Sequence, residues 1–303
     1  MSHAPFLAAL DGERLLLTWF AGSREWETDV GLLAARLHVP TGAWSGPFPL
    51  AAEVMQSLGN SVVHRDALGR LHLWYVRTAR YWQDGEIVHV CPLDPEGGLG
   101  PKALLPLPRG WLIRGRPIAR DGRLFLPVYN EIDMTSAVWE QPLEGESGRL
   151  SETVGAQGGL IHPVLLDFGG DEFRCFFRNS WPPNRIHHAY SMDRGATWSR
   201  AHPTALPNPN AGIDVVRLEN DLLLCAYNHS QSERTPLSLA LSSNRGIDWR
   251  RIADLENEPG EFSYPSLIAH GERLYIAYSH RRTAIKIARL DRERLLALGR
   301  ERC

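Results

Sequence analysis

The sequence predicts an all-β chain closed into a single six-bladed β-propeller. Three observations carry this: a hairpin phrase recurs six times, its period is near 50 residues, and a further strand-like segment follows every copy. The hairpins fall at 2–22, 60–77, 115–131, 161–179, 212–230 and 263–281. Each is an apolar run, a short polar turn and a second run closed by an aromatic, as in a β-hairpin. The closing aromatics are Phe20, Tyr75, Tyr129, Phe177, Tyr227 and Tyr278, spaced by 55, 54, 48, 50 and 51 residues. That period matches one four-stranded blade. The segments 29–39, 85–93, 135–143, 184–192, 235–243 and 283–291 are rich in β-formers and fit third strands. No copy could bury its faces alone, so residues 1–303 read as one domain. The last residues, RERLLALGRERC, read as helical or frayed.

Composition narrows the partners. The chain carries 33 Lys and Arg against 35 Asp and Glu, a net charge of −2 with no basic stripe, so nucleic-acid binding is not expected. No apolar stretch approaches a membrane span, and no membrane partner is expected. The first residues, MSHAPFLAAL, lack a basic leader and enter a strand at once, which gives a cytoplasmic expectation. The four cysteines, Cys91, Cys175, Cys225 and Cys303, show no metal-ligand spacing and read as free thiols. No metal or cofactor is expected.

After the fourth third-strand stands SMDRGATWS, with Ser191, Asp193, Gly195, Thr197 and Trp198 in the Asp-box pattern S-x-D-x-G-x-T-W. The physical logic is a tight turn: the carboxylate accepts from turn amides, Gly supplies a left-handed position and Trp packs back on the blade. One blade later SSNRGIDW is a weakened copy, with Asn244 for the Asp and Trp249 retained. With six hairpins and an Asp box in phase, the chain resembles the sialidase (neuraminidase) superfamily, and more closely its bacterial BNR-repeat group, over nearly its whole length. The resemblance implies a six-bladed propeller with the active site in the central depression. It also implies a retaining glycosidase with a Tyr nucleophile, an Asp acid/base and three arginines that grip a substrate carboxylate.

Carried over residue by residue, the resemblance places Asp29 as the acid/base, on the loop entering the first blade's third strand, where Arg24 adds a cation. It places Arg178, in CFFRN, and Arg234, in ERTPLSLALSS, in the arginine triad, and Tyr264, in FSYPSL, as the nucleophile. Two positions depart from the pattern. SHAP puts His3 where the first triad arginine would stand, and GLIHPVLL offers Ile161 or His162 where the Glu that polarises the Tyr would enter. His162, Glu131 or Glu261 is then the expected activator, and Arg114 or Arg116 the expected replacement for the arginine.

The residues alone support a polar centre. His3, Asn60, Arg116, His162, Asp214 and Tyr264 all stand near the start of a first strand, where propeller blades meet at the channel. The same residues could merely line a solvated channel. The leading expectation is exo-hydrolysis of a terminal acidic sugar, sialic acid or a related nonulosonate. Arg178 and Arg234, with His3 or Arg116, would hold the carboxylate, Asp29 would protonate the leaving oxygen and Tyr264 would attack the anomeric carbon. A lyase or hydrolase for uronic-acid glycans, using His3, His162 and Tyr264, is the second reading. A carbohydrate-binding propeller without catalysis is the third.

Overall fold

Each predicted hairpin forms the two inner strands of one antiparallel sheet, and six sheets follow one another in chain order. The structure is a computed structural model that describes residues 1–143, 148–155 and 158–300. The innermost strands are Ser2–Ala9, Ser57–Arg65, the pair Trp111–Ile113 and Ile118–Arg120, Leu160–Asp167, Asp214–Arg217 and Phe262–His270. The second strands are Arg14–Ala21, Leu71–Thr78, Arg123–Asn130, Phe173–Asn179, Leu223–Asn228 and Arg273–His280. Every sequence-predicted third strand is present, as Gly31–His38, Glu86–Val90, Thr135–Pro142, Arg185–Ser191, Leu237–Ser242 and Ala284–Asp291. The six period-marking aromatics are each at most 1% exposed. They repeat because each blade needs one large ring to fill the wedge against its neighbour.

The ring closes without a borrowed strand. Every sheet is built from consecutive strands, and the sixth keeps only three. The Ser2 amide donates to the Arg282 carbonyl at 2.8 Å. Below that bond Leu7, Leu15, Leu17 and Trp19 of the first blade pack on Tyr275 and Ala277 of the sixth. The C-terminal segment is helical over Arg292–Arg300 and buries Leu295 against Leu218 and Leu222 of the fifth blade. Among the described residues no helix is long and apolar enough to cross a membrane. Cys91, Cys175 and Cys225 are free thiols, and Cys303 lies outside the described residues.

The Asp-box turn joins the third and fourth strands of blade four. The Ser191 hydroxyl donates to Asp193 Oδ1 at 2.7 Å and accepts from the Gly195 amide at 2.7 Å. The Thr197 amide and hydroxyl close on the two carboxylate oxygens at 2.9 and 2.6 Å. Blade five repeats the turn with Asn244, whose Oδ1 accepts from the Asp248 amide at 2.9 Å and whose Nδ2 donates to the Asp248 carboxylate at 2.9 Å. The weakened sequence copy is therefore a complete turn, with its acid moved from the first position to Asp248.

What positions the site is a defect repeated in the innermost strands. Pairing with the second strand slips between His3 and Phe6, Gly59 and Ser61, Ile161 and Val164, and Ser263 and Ser266. At each slip one non-glycine residue takes a positive φ: Ala4 at 49°, Asn60 at 20°, His162 at 52° and Tyr264 at 55°. Such a bulge re-aims a side chain out of the alternating pattern. In blade three the strand breaks outright at residues 114–117, where a Cβ on Gly115 would lie 2.2 Å from the Pro163 carbonyl oxygen. Three bulged residues precede proline (Ala4, His162 and Tyr264), which removes the amide that a regular ladder would use.

Candidate active site

Tyr264 lies at the convergence of the bulges. Its ring centroid is 5.0 Å from the Arg114 guanidinium carbon, 5.4 Å from that of Arg234 and 5.8 Å from that of Arg178. Arg178 donates to the phenolic oxygen at 2.9 Å and, through Nε, to Asn210 Oδ1 at 2.7 Å. The His3 ring stands 4.4 Å and the His162 ring 5.6 Å from the Tyr264 ring. Blades one, three and four thus supply side chains to this blade-six phenol, with blade five adding Arg234. Tyr264 itself stays 9% exposed, enough to face the channel from a packed floor.

Above this floor runs a half-exposed ionic chain. Glu261 accepts from Arg234 at 2.7 Å, from Arg282 at 2.9 Å and from the Ser263 hydroxyl at 2.8 Å. Arg282 also pairs with Glu25, on the loop of the first blade, at 3.0 Å. The chain Glu25–Arg282–Glu261–Arg234 bridges the first, sixth and fifth blades at the mouth. Burial pulls Glu261 upward, but Arg234 and Arg282 outweigh it and hold the carboxyl below its ordinary value.

The two histidines are neutral. Burial, reinforced by the surrounding arginines, depresses both His3 and His162 well below the ordinary imidazole value. Neither ring nitrogen of His3 has a hydrogen-bond partner, although the residue is fully buried. A neutral His3 is not a cation for a carboxylate, so it does not do electrostatically what an arginine would do there. Arg114, with its head over Tyr264 and Nη2 donating to the Pro265 carbonyl at 3.0 Å, is the buried guanidinium at that place, and Arg282 the half-exposed one. His162 lies 3.3 Å from Arg178 Nη1 and stacks edge-on with Tyr129 at 4.6 Å. It meets the Tyr264 ring edge-on and reaches the phenolic oxygen only by way of Arg178.

The other sequence-predicted residues separate into two groups. Arg116 turns away from Tyr264 and donates to the Leu7 and Leu267 carbonyls at 2.8 and 3.1 Å. Asp214 accepts from the Leu267 amide at 2.7 Å and from the Val215 amide at 2.9 Å, and burial raises its carboxyl against the pull of Arg116. Asn60 donates to the Tyr129 hydroxyl at 2.9 Å. These three join blades across the channel beneath the phenol. Asp29 and Arg24 stand outside it. Asp29 is exposed and accepts from the Ser23 hydroxyl and amide at 2.9 and 2.8 Å, which holds its carboxyl below the ordinary value. Arg24 is exposed and pairs with Glu27 at 2.7 Å.

Sequence reasoning did not assign Arg282, which follows a second arginine in SHRRT, so that the turn alone decides which head faces in. Glu131 was one of several candidates. It is half-buried at the end of the third hairpin, and burial raises its carboxyl despite the nearby Arg178. An aromatic wall also rises on the rim. Trp26 stands 5.8 Å from Tyr81 and 6.3 Å from Trp82, whose ring lies so close over Gly59 that a Cβ there would meet it at 2.5 Å. Trp181 is 43% exposed, above Gly159 at the fourth blade.

The propeller has counterparts among solved structures. A Hadza microbial sialidase superposes with a TM-score of 0.80 at 15% identity, over 97% of this chain and 66% of its own. The NanB sialidase of Streptococcus pneumoniae gives 0.82 at 11% identity, over 96% of this chain and 68% of its own. The Trypanosoma rangeli sialidase, solved in complex with 2,3-difluorosialic acid as a covalent intermediate, gives 0.77 at 13% identity, over 99% of this chain and 56% of its own. The chain thus spans roughly two thirds or less of the length of these sialidases and shares their propeller fold. No curated protein sequence matches it. The model of the BNR repeat-like domain matches residues 13–276, so the chain belongs to the BNR repeat-like family.

Proposed function

We propose that the protein is an exo-acting retaining glycosidase that removes a terminal acidic sugar, sialic acid or a related nonulosonate. One observation carries the reading: Tyr264, on a strained bulge at the channel, takes a hydrogen bond from Arg178 and stands among three guanidiniums. A positive φ at a tyrosine costs about 1–3 kcal/mol, and strain of that kind persists where function requires it. A phenol suits attack at the anomeric carbon of a sugar that bears its own carboxylate, because a carboxylate nucleophile would be repelled.

In this reading Arg178, Arg234 and Arg282 bind the substrate carboxylate with charge-assisted hydrogen bonds. Glu261 positions the last two by bonding both. Arg114 stays beneath as a fixed positive charge. Tyr264 attacks, its hydroxyl proton passing to Glu131, whose raised carboxyl makes it a stronger base than a solvated one. Asp29 protonates the leaving oxygen once substrate releases it from Ser23. Water then hydrolyses the glycosyl–tyrosine bond, giving its proton to Asp29, while Glu131 returns its proton to the departing phenolate and both carboxyls are reset. The rim aromatics Trp26, Tyr81 and Trp82 offer stacking faces to the rest of the glycan.

The direct test is a fluorogenic N-acetylneuraminic acid glycoside, with Tyr264→Phe run beside the wild type. Turnover in the wild type that is lost in the variant supports the reading, and no turnover in the wild type rejects that sugar. A second reading rests on His3 and His162 flanking the same phenol. A neutral histidine and a tyrosine could serve as base and acid in β-elimination from a uronic-acid glycan. Release of an unsaturated, ultraviolet-absorbing product would identify it.

A further inference from the structure

Away from the channel, blade two brings together three metal-ligating side chains that the linear sequence keeps apart. Trp74 pairs with His89 and Leu73 with Val90 across its second and third strands. The same register sets His72 opposite Cys91. His72, His89 and Cys91 each offer one donor atom, and these atoms all lie within 4.8 Å of one another. Cys91 Sγ is 3.7 Å from His72 Nε2, and His72 Nδ1 is 3.0 Å from His89 Nε2.

The orientation of His72 is fixed from behind. Its Nε2 lies 3.0 Å from Asp66 Oδ2, and both side chains are almost completely buried. Asp66 is itself fixed by the Leu68 and Arg70 amides and the Arg70 guanidinium. A carboxylate on one imidazole nitrogen, with the other turned to a site, is the arrangement that orients metal-bound histidines. With Nε2 held by Asp66, Nδ1 is the nitrogen that faces His89. The His72, His89 and Trp74 rings lie parallel within 7°, so stacking holds both imidazoles in place. Cys91 and His89 are half-exposed, which gives an ion a way in.

We propose that His72, His89 and Cys91 form a binding site for one zinc-type divalent ion, with Asp66 positioning His72 and a fourth coordination place left to water. Two imidazoles and a thiolate are a ligand set that zinc favours, and three protein ligands leave one place open. Bond lengths of about 2.0 Å to nitrogen and 2.3 Å to sulfur put tetrahedral ligand atoms about 3.3–3.7 Å apart. Cys91 Sγ now lies nearest the Asp66-held Nε2, so joining the site requires the half-exposed thiol to turn toward Nδ1 and the His72–His89 contact to open. Binding replaces the thiol proton, which leaves to solvent, and no redox change is involved.

The test is titration of the chelator-stripped full chain with Co(II), read by absorption spectroscopy, followed by competition with Zn(II). The expected result is one equivalent bound, with tetrahedral visible bands and a near-ultraviolet thiolate charge-transfer band that Zn(II) abolishes. Cys91→Ser should lose the charge-transfer band, and His89→Ala should weaken binding by at least about tenfold. Both positions are half-exposed, and circular dichroism checks that the variants fold. Zn(II) should raise the Tm of the wild type and leave that of Cys91→Ser unchanged. No charge-transfer band in the wild type, or the same band in folded Cys91→Ser, overturns the proposal.

Discussion

The outer turns and the central strands of this propeller use the same polar residue types to opposite ends. At the Asp box of blade four Ser191, Asp193, Gly195 and Thr197 satisfy one another within 2.6–2.9 Å, and only the packed Trp198 Nε1 goes unpaired among the described residues. The left-handed positions there are Arg194 at φ 58° and Gly195 at φ 84°, the glycine at no steric cost. At the channel the left-handed positions belong to Ala4, Asn60, His162 and Tyr264, the His3 nitrogens and Arg114 Nε have no partner among the described residues, and three guanidiniums crowd one phenol. Hydrogen bonding closes on itself where the chain needs only a turn and stays open where side chains face the channel. Perturbing the centre should therefore change activity more than stability, and perturbing the rim should do the reverse.

Tyr264→Phe is the largest break available. It removes one oxygen and keeps the ring that Arg114 and Arg234 cover. Loss of a nucleophile is expected to lower turnover of the acidic aryl glycoside by at least about 10³-fold, with the Tm nearly unchanged. A matched loss of Tm would show that the hydroxyl is a packing element and erase the contrast between centre and rim.

Arg178→Ala should come next. It deletes the bonds to Tyr264 and Asn210 together, and charged hydrogen bonds are worth about 1.5–3 kcal/mol each. The expected fall in kcat/KM is about 10- to 100-fold per bond lost to the transition state. Asp29→Asn and Glu131→Gln sharpen the assignment of roles. An aryl leaving group of low pKa needs little protonation, so Asp29→Asn should retain formation of the glycosyl–tyrosine on it while losing it on alkyl glycosides, in stopped-flow assays. Glu131→Gln should slow that step on both.

Acid separates the two regions through stability. His3 and His162 are held neutral by burial, so their folded pKa values lie below the unfolded value of about 6.5. Their contribution is complete above that value. It is lost as pH falls toward the folded pKa, because the unfolded chain takes up protons that the folded one refuses. Each such histidine costs up to about 1.4 kcal/mol per pH unit in that window. Asp193 is depressed by the bonds from Thr197, so its turn loses stability only below the ordinary carboxylate range. Urea unfolding between pH 7 and 5 should show stability falling steadily, and His162→Gln should reduce the slope by about one proton. An unchanged slope would mean that His162 charges in the folded state.

The frame was legible in the sequence because a propeller writes its period directly: one buried aromatic per blade recurs as Phe20, Tyr75, Tyr129, Phe177, Tyr227 and Tyr278. Arg178, Arg234 and Tyr264 could be marked because the resemblance to sialidases carries its arginine and nucleophile positions onto them, and the structure brings them together. The pairs Arg114/Arg116 and Arg281/Arg282 could not be resolved. A bulge or a break decides which neighbour faces in, and slippage of pairing is a three-dimensional event. His3 shows the same limit: the bulge falls on Ala4, one residue later, and leaves His3 buried and neutral. His72, His89 and Cys91 lay beyond spacing arguments altogether, because strand register joins them.

The smallest expected effect tests the comparison most sharply, since it concerns backbone alone. Asp193→Ala removes bonds to Thr197 and Ser191 at an exposed turn and should cost about 1–2 kcal/mol, with activity intact. Ala4→Gly goes the other way. Ala4 holds φ at 49°, its side chain is a single methyl, and its amide donates to the Ser279 hydroxyl at 3.0 Å, a bond that glycine keeps. Relief of a left-handed alanine is worth about 1 kcal/mol, offset by about 0.5–1 kcal/mol of added freedom in the unfolded chain. The net change in Tm should be near zero, where the same substitution in a regular strand would lower it. A loss of several degrees would mean that the bulge at Ala4 carries no strain, and the channel strands would then obey the same local rules as the rim.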